Sequence, residues 1–283
     1  MELHLRCTIG VERDLPLVPH FVEYYRRLGV ESYLFVLHTR DAASPNLARA
    51  GDLLRGCGIE PATIWITPNW NTGANAEKHR QVVQHLSETA WVMSADIDEF
   101  HEYPKPLPAF LEELSGEGYE LVRGRLVQRV SRTFRLAPLR PDTDLFVQCP
   151  VEADFGIGNP GKVMLHRKHI TTTPGHHHFD EPTNRPVRIY PHILKVAHFK
   201  WFEGVGKKYT DASLMAHHSE TWEFAAYDRF IQRNFSGWRR WMNVATHHRV
   251  IQPWLRAVLR LKRAAGTVRR RLLPWDGRRL AWK

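Results

Sequence analysis

Strand-like and helix-like segments alternate along the first 95 residues, and this alternation is the feature that most restricts the fold. Runs of apolar and β-branched residues at 3–9, 33–37, 62–67 and 90–95 predict four strands. The periodicity between them predicts a helix from Asp14, its expected N-cap, to Gly29, and further helices at 46–55 and 77–87. A chain that repeats strand and helix in this way forms a mostly parallel, doubly wound α/β sheet with helices on both faces.

Three carboxylates follow the fourth predicted strand, in the sequence W-V-M-S-A-D-I-D-E-F at residues 91–100. Ligands of such sheets collect at the carboxyl ends of the strands, so Asp96, Asp98 and Glu99 are placed at a binding edge. If the extended backbone continues for two residues, Asp96 and Asp98 point to the same side. A cation between them would relieve their repulsion, and their hard oxygen atoms suit Mg²⁺ or Mn²⁺. The sequence therefore predicts a divalent metal site with open positions for phosphate oxygens.

Two other motifs resemble ligand sites but lack the context that such sites need. Asp142 and Asp144 repeat the D-x-D spacing in a Pro-rich loop with no strand before it, and we expect them on the solvated surface. The run G-I-G-N-P-G-K at 156–162 lacks a surrounding βαβ unit, and Val163 stands where a P-loop has a hydroxyl. Lys162 remains a candidate for a positive charge near a phosphate.

Phosphatases of the haloacid-dehalogenase type also place D-x-D at a strand end. They require Thr or Val two residues after the second Asp, in a motif near the N-terminus. Phe100 occupies that position here, which argues against a phosphatase.

Acid–base groups are concentrated in the sequence T-P-G-H-H-H-F-D-E, at residues 173–181. Within it His177, Asp180 and Glu181 are the candidates for a catalytic base, and the spacing does not select among them. His198 ends a predicted strand at 193–199 and is followed by Lys200. An imidazole on the metal and an ammonium on a phosphate would suit that pair.

With these residues the chain resembles the GT-A glycosyltransferases, in particular bacterial relatives of glycosyltransferase families 2 and 92. The resemblance rests on D-I-D-E-F with its preceding Trp91, on V-R-G-R-L-V-Q-R-V-S, on T-P-G-H-H and on H-F-K-W, and it covers residues 1–215. It implies a GT-A (Rossmann-like) fold and transfer of a sugar from a nucleotide sugar such as a UDP-sugar. We expect an inverting reaction, whose base would be a carboxylate or an imidazole that faces the metal site. It also implies Mn²⁺ or Mg²⁺ held by Asp96, Asp98 and His198.

Contacts to the nucleotide sugar are expected at both ends of this region. The candidates are Glu12, Asp41, Lys78, Asp96, Lys162 and Lys200. The chain departs from the relatives in three places. It lacks their N-E after the first strand and their D-x-x-S-x-D after the second, and the third departure is at residue 128. Gln128 stands where they often have Asp, so that position cannot supply a carboxylate.

The chain is expected to have three parts. Residues 1–110 form the nucleotide-sugar-binding half, 111–224 the acceptor-binding and catalytic half, and 225–283 a basic helical extension. The last part is strongly charged: residues 229–283 hold 15 Lys and Arg residues and one acid, Asp276, in a chain whose net charge is +10. From residue 253 apolar residues recur every three or four positions among arginines, as in a helix on an anionic membrane or one packed on the domain.

Composition narrows the remaining choices. The three cysteines, Cys7, Cys57 and Cys149, are far apart and indicate reduced thiols. The N-terminus lacks a secretory pattern, so we expect a cytoplasmic protein, peripheral on the inner face of the membrane if the tail docks there. The acceptor would be a glycan or a lipid-linked envelope saccharide. Two alternatives stay open: a nucleic-acid-binding protein, suggested by a pI of 9.7 and ten tryptophans, and an inactive sugar-binding relative.

Overall fold

The computed structural model describes residues 1–68, 70–153, 161–180, 185–203, 229–237 and 240. Its strands are β1 (Leu3–Gly10), β2 (Tyr33–Thr39), β3 (Thr63–Ile66), β4 (Trp91–Ser94), β5 (Glu99–Glu102), β6 (Leu121–Val130), β7 (Val151–Ala153), β8 (Gly161–Arg167) and β9 (Leu194–His198). Its α-helices are α1 (Val18–Arg27), α2 (Pro45–Gly56), α3 (Thr72–Val83), α4 (Leu107–Gly116) and α5 (Leu145–Gln148). Short 3₁₀ turns lie at Leu15–Leu17 and Pro174–His176.

The nine strands of the described residues belong to one sheet, in the order β3-β2-β1-β4-β8-β6-β9-β5, with β7 paired to β6. The first four strands are parallel to one another, because a helix or crossover returns the chain to the same edge each time. β8 then joins antiparallel to β4, and β6 pairs parallel with β9. The predicted α/β fold is confirmed, and the carboxyl ends of β1, β2 and β4 share one edge of the sheet.

Helices cover both faces of this sheet, as the alternating side chains of the strands require. Cys7 of β1 and Phe35 of β2 pack with residues of α1, α2 and α4 in the main core. Val36 and Val92 point the other way and pack with Val82 of α3. On that second face β1 also presents Arg6 and Thr8, two buried polar side chains.

Several predicted elements differ from the structure in detail. Asp14 does not cap a helix through its side chain; its Oδ2 accepts a hydrogen bond from the backbone N–H of Gly10 at 2.9 Å instead. α3 begins at Thr72, earlier than expected, because Asn71 caps it by accepting from the N–H of Ala74. Asp144 is exposed, as predicted for the second D-x-D, and it caps α5.

The C-terminal part of the chain is described only in pieces. Residues 229–235 are helical, in agreement with the helical extension predicted from residue 225, and Ile231 and Phe235 pack against Trp201. The predicted helix from residue 253 lies outside the described residues, as does Glu181. Within the part that is described, no helix has the length and apolar character needed to cross a bilayer.

Candidate active site

The chain turns directly after β4, and this turn carries the acids expected to bind a cation. The N–H of Glu99 donates to the carbonyl oxygen of Asp96 at 2.9 Å, and the N–H of Asp96 donates to Glu99 Oε2 at 3.1 Å. Ile97 between the two aspartates is buried. The expected extended geometry is therefore wrong, because a turn separates Asp96 from Asp98. The two carboxylates still act on each other, since the charge of Asp98 opposes ionisation of Asp96.

A buried lysine from β8 is paired with this turn. Lys162 Nζ lies 2.7 Å from Asp96 Oδ2 and 2.7 Å from Glu99 Oε1, and it donates to the carbonyl oxygen of Gly175 at 3.0 Å. The Lys162 side chain is 0% exposed and that of Glu99 3%, whereas the Asp96 side chain is 42% exposed. The ammonium therefore ties the turn after β4 to the T-P-G-H-H loop, and it leaves Asp96 facing solvent.

Burial and charge oppose each other in this cluster. Burial raises the pKa of Asp96, but the Lys162 ammonium outweighs it and the pKa lies below its usual range. Burial lowers the pKa of Lys162, but Asp96 and Glu99 raise it further than burial lowers it. The pKa of Glu99 is raised, chiefly by burial. Ionised Asp96 raises the Lys162 pKa more than Glu99 does, and the raised Glu99 pKa favours the neutral acid. We assign the excess proton to Glu99, because one ammonium cannot neutralise three neighbouring carboxylates and Glu99 is the most buried of them.

A chain of hydrogen bonds orients the second aspartate. Trp201 Nε1 donates to Gln128 Oε1 at 2.7 Å, which fixes the amide so that Gln128 Nε2 donates to His198 Nδ1 at 3.0 Å. In the neutral imidazole the proton then lies on Nε2, which is 3.3 Å from Asp98 Oδ2. Burial opposes ionisation of Asp98, but His198 outweighs it and holds the pKa of that carboxyl below its usual range.

The donor set of this edge suits a divalent cation. Asp96 and Asp98 use their Oδ2 atoms in the contacts above, and each carboxylate has a second oxygen of the hard type that Mg²⁺ or Mn²⁺ prefers. Such an ion is commonly bound by one or two carboxylates together with substrate phosphates. Among the described residues, no three His, Cys, Asp or Glu side chains are grouped to enclose a metal by themselves. His198 ligation stays a prediction, and it would require Nε2 to exchange its proton for the metal.

Five of the six expected nucleotide contacts lie near this edge of the sheet, Asp96 among them. Thr39 Oγ1 at the end of β2 donates to Glu12 Oε1 at 2.8 Å and lies 2.9 Å from the carbonyl oxygen of Asp41, so the structure brings Glu12 and Asp41 together. Lys200 follows β9. The positive charges of Arg13 and Lys200 both lower the pKa of Asp98. Lys162 is the ammonium already described. Lys78 is elsewhere: on α3 it donates to Gln81 Oε1 at 3.1 Å.

Of the three candidate bases, His177 has the clearest geometry. Its Nδ1 donates to the carbonyl oxygen of Gly161 at 2.7 Å, so in the neutral ring Nε2 is a proton acceptor. Burial, then the charge of Lys162, lowers its pKa, while Asp96 acts in the opposite direction. Asp180 is exposed. The structure therefore places His177 within electrostatic reach of the cluster.

Sequence reasoning missed part of this site. Glu99 was recognised only as one of three acids, and its ion pair with Lys162 was not expected. Gln128 was read as a lost carboxylate, although its amide orients His198. The V-Q-R-V alternation with H-F-K-W was the available signal, because it allows β6 and β9 to pair and place Gln128 opposite His198.

Comparisons with known proteins find similarity among solved structures. No protein-family model and no curated protein matches the chain. Among solved structures it is similar to TarS of S. aureus at 7% identity and a TM-score of 0.39, over 91% of this chain and 50% of that one. The fragment TarS 1–349 has 7% identity and a TM-score of 0.36, over 86% and 79% of the two chains. That fragment in complex with UDP-GlcNAc has 7% identity and a TM-score of 0.32, over 49% and 44%.

The chain thus spans about half the length of the TarS chain.

Proposed function

We propose that the protein is a metal-dependent glycosyltransferase that takes a sugar from a nucleotide sugar, such as a UDP-sugar. The observation that carries the proposal is the pair Asp96 and Asp98 at the carboxyl edge of a parallel sheet, each with one oxygen held by a neighbouring cation or imidazole. Ligands of such sheets bind at this edge. The resemblance of the D-I-D-E-F sequence to GT-A glycosyltransferases points to the same chemistry.

Each side chain of the cluster has a part in this proposal. Asp96 and Asp98 would hold Mg²⁺ or Mn²⁺, which neutralises the charge that develops on a departing nucleoside diphosphate. Lys162 fixes Asp96 in position, and His198 fixes Asp98. Lys200 and Arg13 raise the positive potential beside Asp98, where diphosphate oxygens would lie. Glu12 and Asp41, joined by Thr39, would contact the nucleoside.

The acceptor needs a base, and we propose His177 for this role. Its Nε2 acceptor would take the proton of the attacking hydroxyl as the sugar passes through an oxocarbenium-like state. This direct displacement would invert the anomeric centre. Lys162 contacts the loop of His177 through the carbonyl oxygen of Gly175, so one ammonium would position both Asp96 and the base.

The acceptor remains a proposal from the sequence. A basic, amphipathic segment from residue 253 would place the enzyme on an anionic membrane, where a lipid-linked saccharide is available. Vesicles of anionic lipid should bind the full chain in a salt-sensitive manner and should not bind a chain that ends at residue 252. Equal binding of both chains would contradict this part of the proposal.

Binding of the donor is the first test. A panel of UDP-sugars should raise the Tm of the wild-type protein in the presence of Mn²⁺ and should do so much less in EDTA. Asp98→Asn should abolish the Mn²⁺-dependent part of the rise, whereas Asp142→Asn, in the second D-x-D, should leave it unchanged. A rise that is the same in Asp98→Asn would contradict the metal site.

A further inference from the structure

A buried arginine lies between the sheet and α3, and no carboxylate among the described residues pairs with it. Arg6 of β1 is 3% exposed. Its Nε donates to Ser94 Oγ at 3.0 Å, and its Nη2 contacts Thr172 Oγ1, His166 Nε2 and His176 Nδ1 at 2.7, 3.2 and 3.4 Å. None of these partners is acidic. Removing a guanidinium from water without a counter-charge costs free energy, and a bound anion would offset that cost.

The three histidines around Arg6, His79, His166 and His176, are uncharged. Arg6 only donates, so His166 Nε2 and His176 Nδ1 are acceptors. His166 Nδ1 then donates to the carbonyl oxygen of Arg167 at 2.9 Å, and His176 Nε2 donates to His79 Nδ1 at 3.0 Å. Every ring is thus neutral in one defined tautomer, and burial lowers the pKa of each. The positive charge of Arg6 stays uncompensated.

A small cleft opens beside this guanidinium. Its volume is about 40 Å³, and Arg6, Arg80, Lys168 and the three histidines line it. In the described part of the chain no Asp or Glu lines the cleft. Arg80 and Lys168 have surface partners, Glu77 and Glu88, so the unbalanced charge is that of Arg6. A cavity needs roughly 10–15 Å³ to hold one water, so this cleft has room for a small ion.

One group of Arg6 has hydrogen-bonding capacity to spare. Its Nη1 has a single contact, to the carbonyl oxygen of His79 at 3.5 Å, which is longer than an ordinary N–H···O bond. The carboxylate whose charge favours ionised Arg6 is Asp96, and that group is already paired with Lys162. The planar fork of a guanidinium matches an oxyanion better than a spherical ion.

We propose that this cleft binds a small tetrahedral oxyanion of the phosphate or sulfate class, with Arg6 as its main ligand. The bound ion would stabilise the T-P-G-H-H loop, because Thr172 and His176 both contact Arg6 Nη2. The cleft shares no residue with the turn at Asp96–Glu99. The inference therefore does not depend on the proposed transferase activity.

Inorganic phosphate is the probe for the test, added to the full chain in EDTA with NaCl adjusted to keep ionic strength constant. We expect a saturable rise in Tm of about 2–4 °C. Sulfate should act similarly, and NaCl alone should not. If phosphate raises the Tm no more than NaCl of the same ionic strength does, the proposal is wrong.

Variants locate the effect. Arg6→Gln should abolish the rise, while Arg49→Gln, an exposed arginine of α2, should not change it. If Arg6→Gln fails to fold, the double variant Arg80→Gln/Lys168→Gln decides, since it leaves the buried network in place and should weaken phosphate binding about tenfold. Phosphate binding of wild-type strength in that double variant would contradict the proposed site. Loss of phosphate binding in Asp98→Asn would also contradict it, because Asp98 does not line the cleft.

Discussion

Lys162 Nζ and Asp96 Oδ2 lie 2.7 Å apart, and the same ammonium lies 2.7 Å from Glu99 Oε1. The ammonium of this fully buried lysine thus contacts two of the three acids in the turn after β4. Its third contact, to Gly175, connects that turn to the loop of the candidate base. The arrangement explains how three acids can lie together at the end of an apolar strand.

Replacing Lys162 by Met should strongly destabilise the fold. The change leaves Asp96 without its counter-charge and the buried Glu99 without the ammonium that it contacts. Because Asp96 is partly exposed, we expect a cost of about 3 kcal/mol, at the lower end of the range for a broken buried ion pair. Urea unfolding would measure the change. The matched control is Lys105→Met, whose exposed ion pair with Glu113 should contribute about 1 kcal/mol or less. Equal losses in the two variants would show that Lys162 is not a structural cation.

The amide of Gln128 should set the tautomer of His198. In the wild-type protein we expect the proton on Nε2, because Gln128 donates to Nδ1. In Gln128→Glu the carboxylate accepts instead, which should move the proton to Nδ1. Nitrogen NMR of the imidazole distinguishes the two forms, and His177 serves as the internal control because its Nδ1–H donates to Gly161. Protonated Nδ1 of His198 in the wild type would contradict the hydrogen-bond chain.

Buried histidines should make the fold sensitive to mild acid. Burial lowers the pKa of His79 and of His166 to about 3. In the unfolded chain both titrate near 6.5, so between these values the unfolded state binds more protons. Their contribution is complete above about pH 6.5 and falls as the pH decreases, by about 1.4 kcal/mol per pH unit for each histidine.

Urea unfolding between about pH 5 and pH 7.5 would measure this slope. His79→Gln should reduce it by about one proton, and the exposed His192→Gln should leave it unchanged. A slope that His79→Gln does not alter would mean that His79 is not buried in its neutral form.

Local patterns were sufficient for the first half of the fold. The strands β1, β2 and β4 and the buried face of α1 could be predicted, because Leu15, Val18, Val22 and Tyr25 recur at helical spacing and each is buried. β5 could not be predicted, because E-F-H-E reads as a polar segment. It becomes a strand by pairing with β9, where Glu99 lies opposite His198.

The contacts within the site were beyond local patterns for the same reason. Asp96 and Lys162 are far apart in the chain and meet because β8 pairs antiparallel with β4, which only the assembled sheet determines. Arg6 appeared as one charged residue in an apolar strand. Its role depends on α3 and on the loop at 171–178.

The most direct test of the central claim is release of UDP from a UDP-sugar, followed with purified protein, Mn²⁺ and a panel of donors. We predict that the wild-type protein releases UDP with at least one donor, and that EDTA or Asp98→Asn reduces the rate by at least about a hundredfold. Asp142→Asn should keep the wild-type rate. UDP release by Asp98→Asn at the wild-type rate would contradict the account.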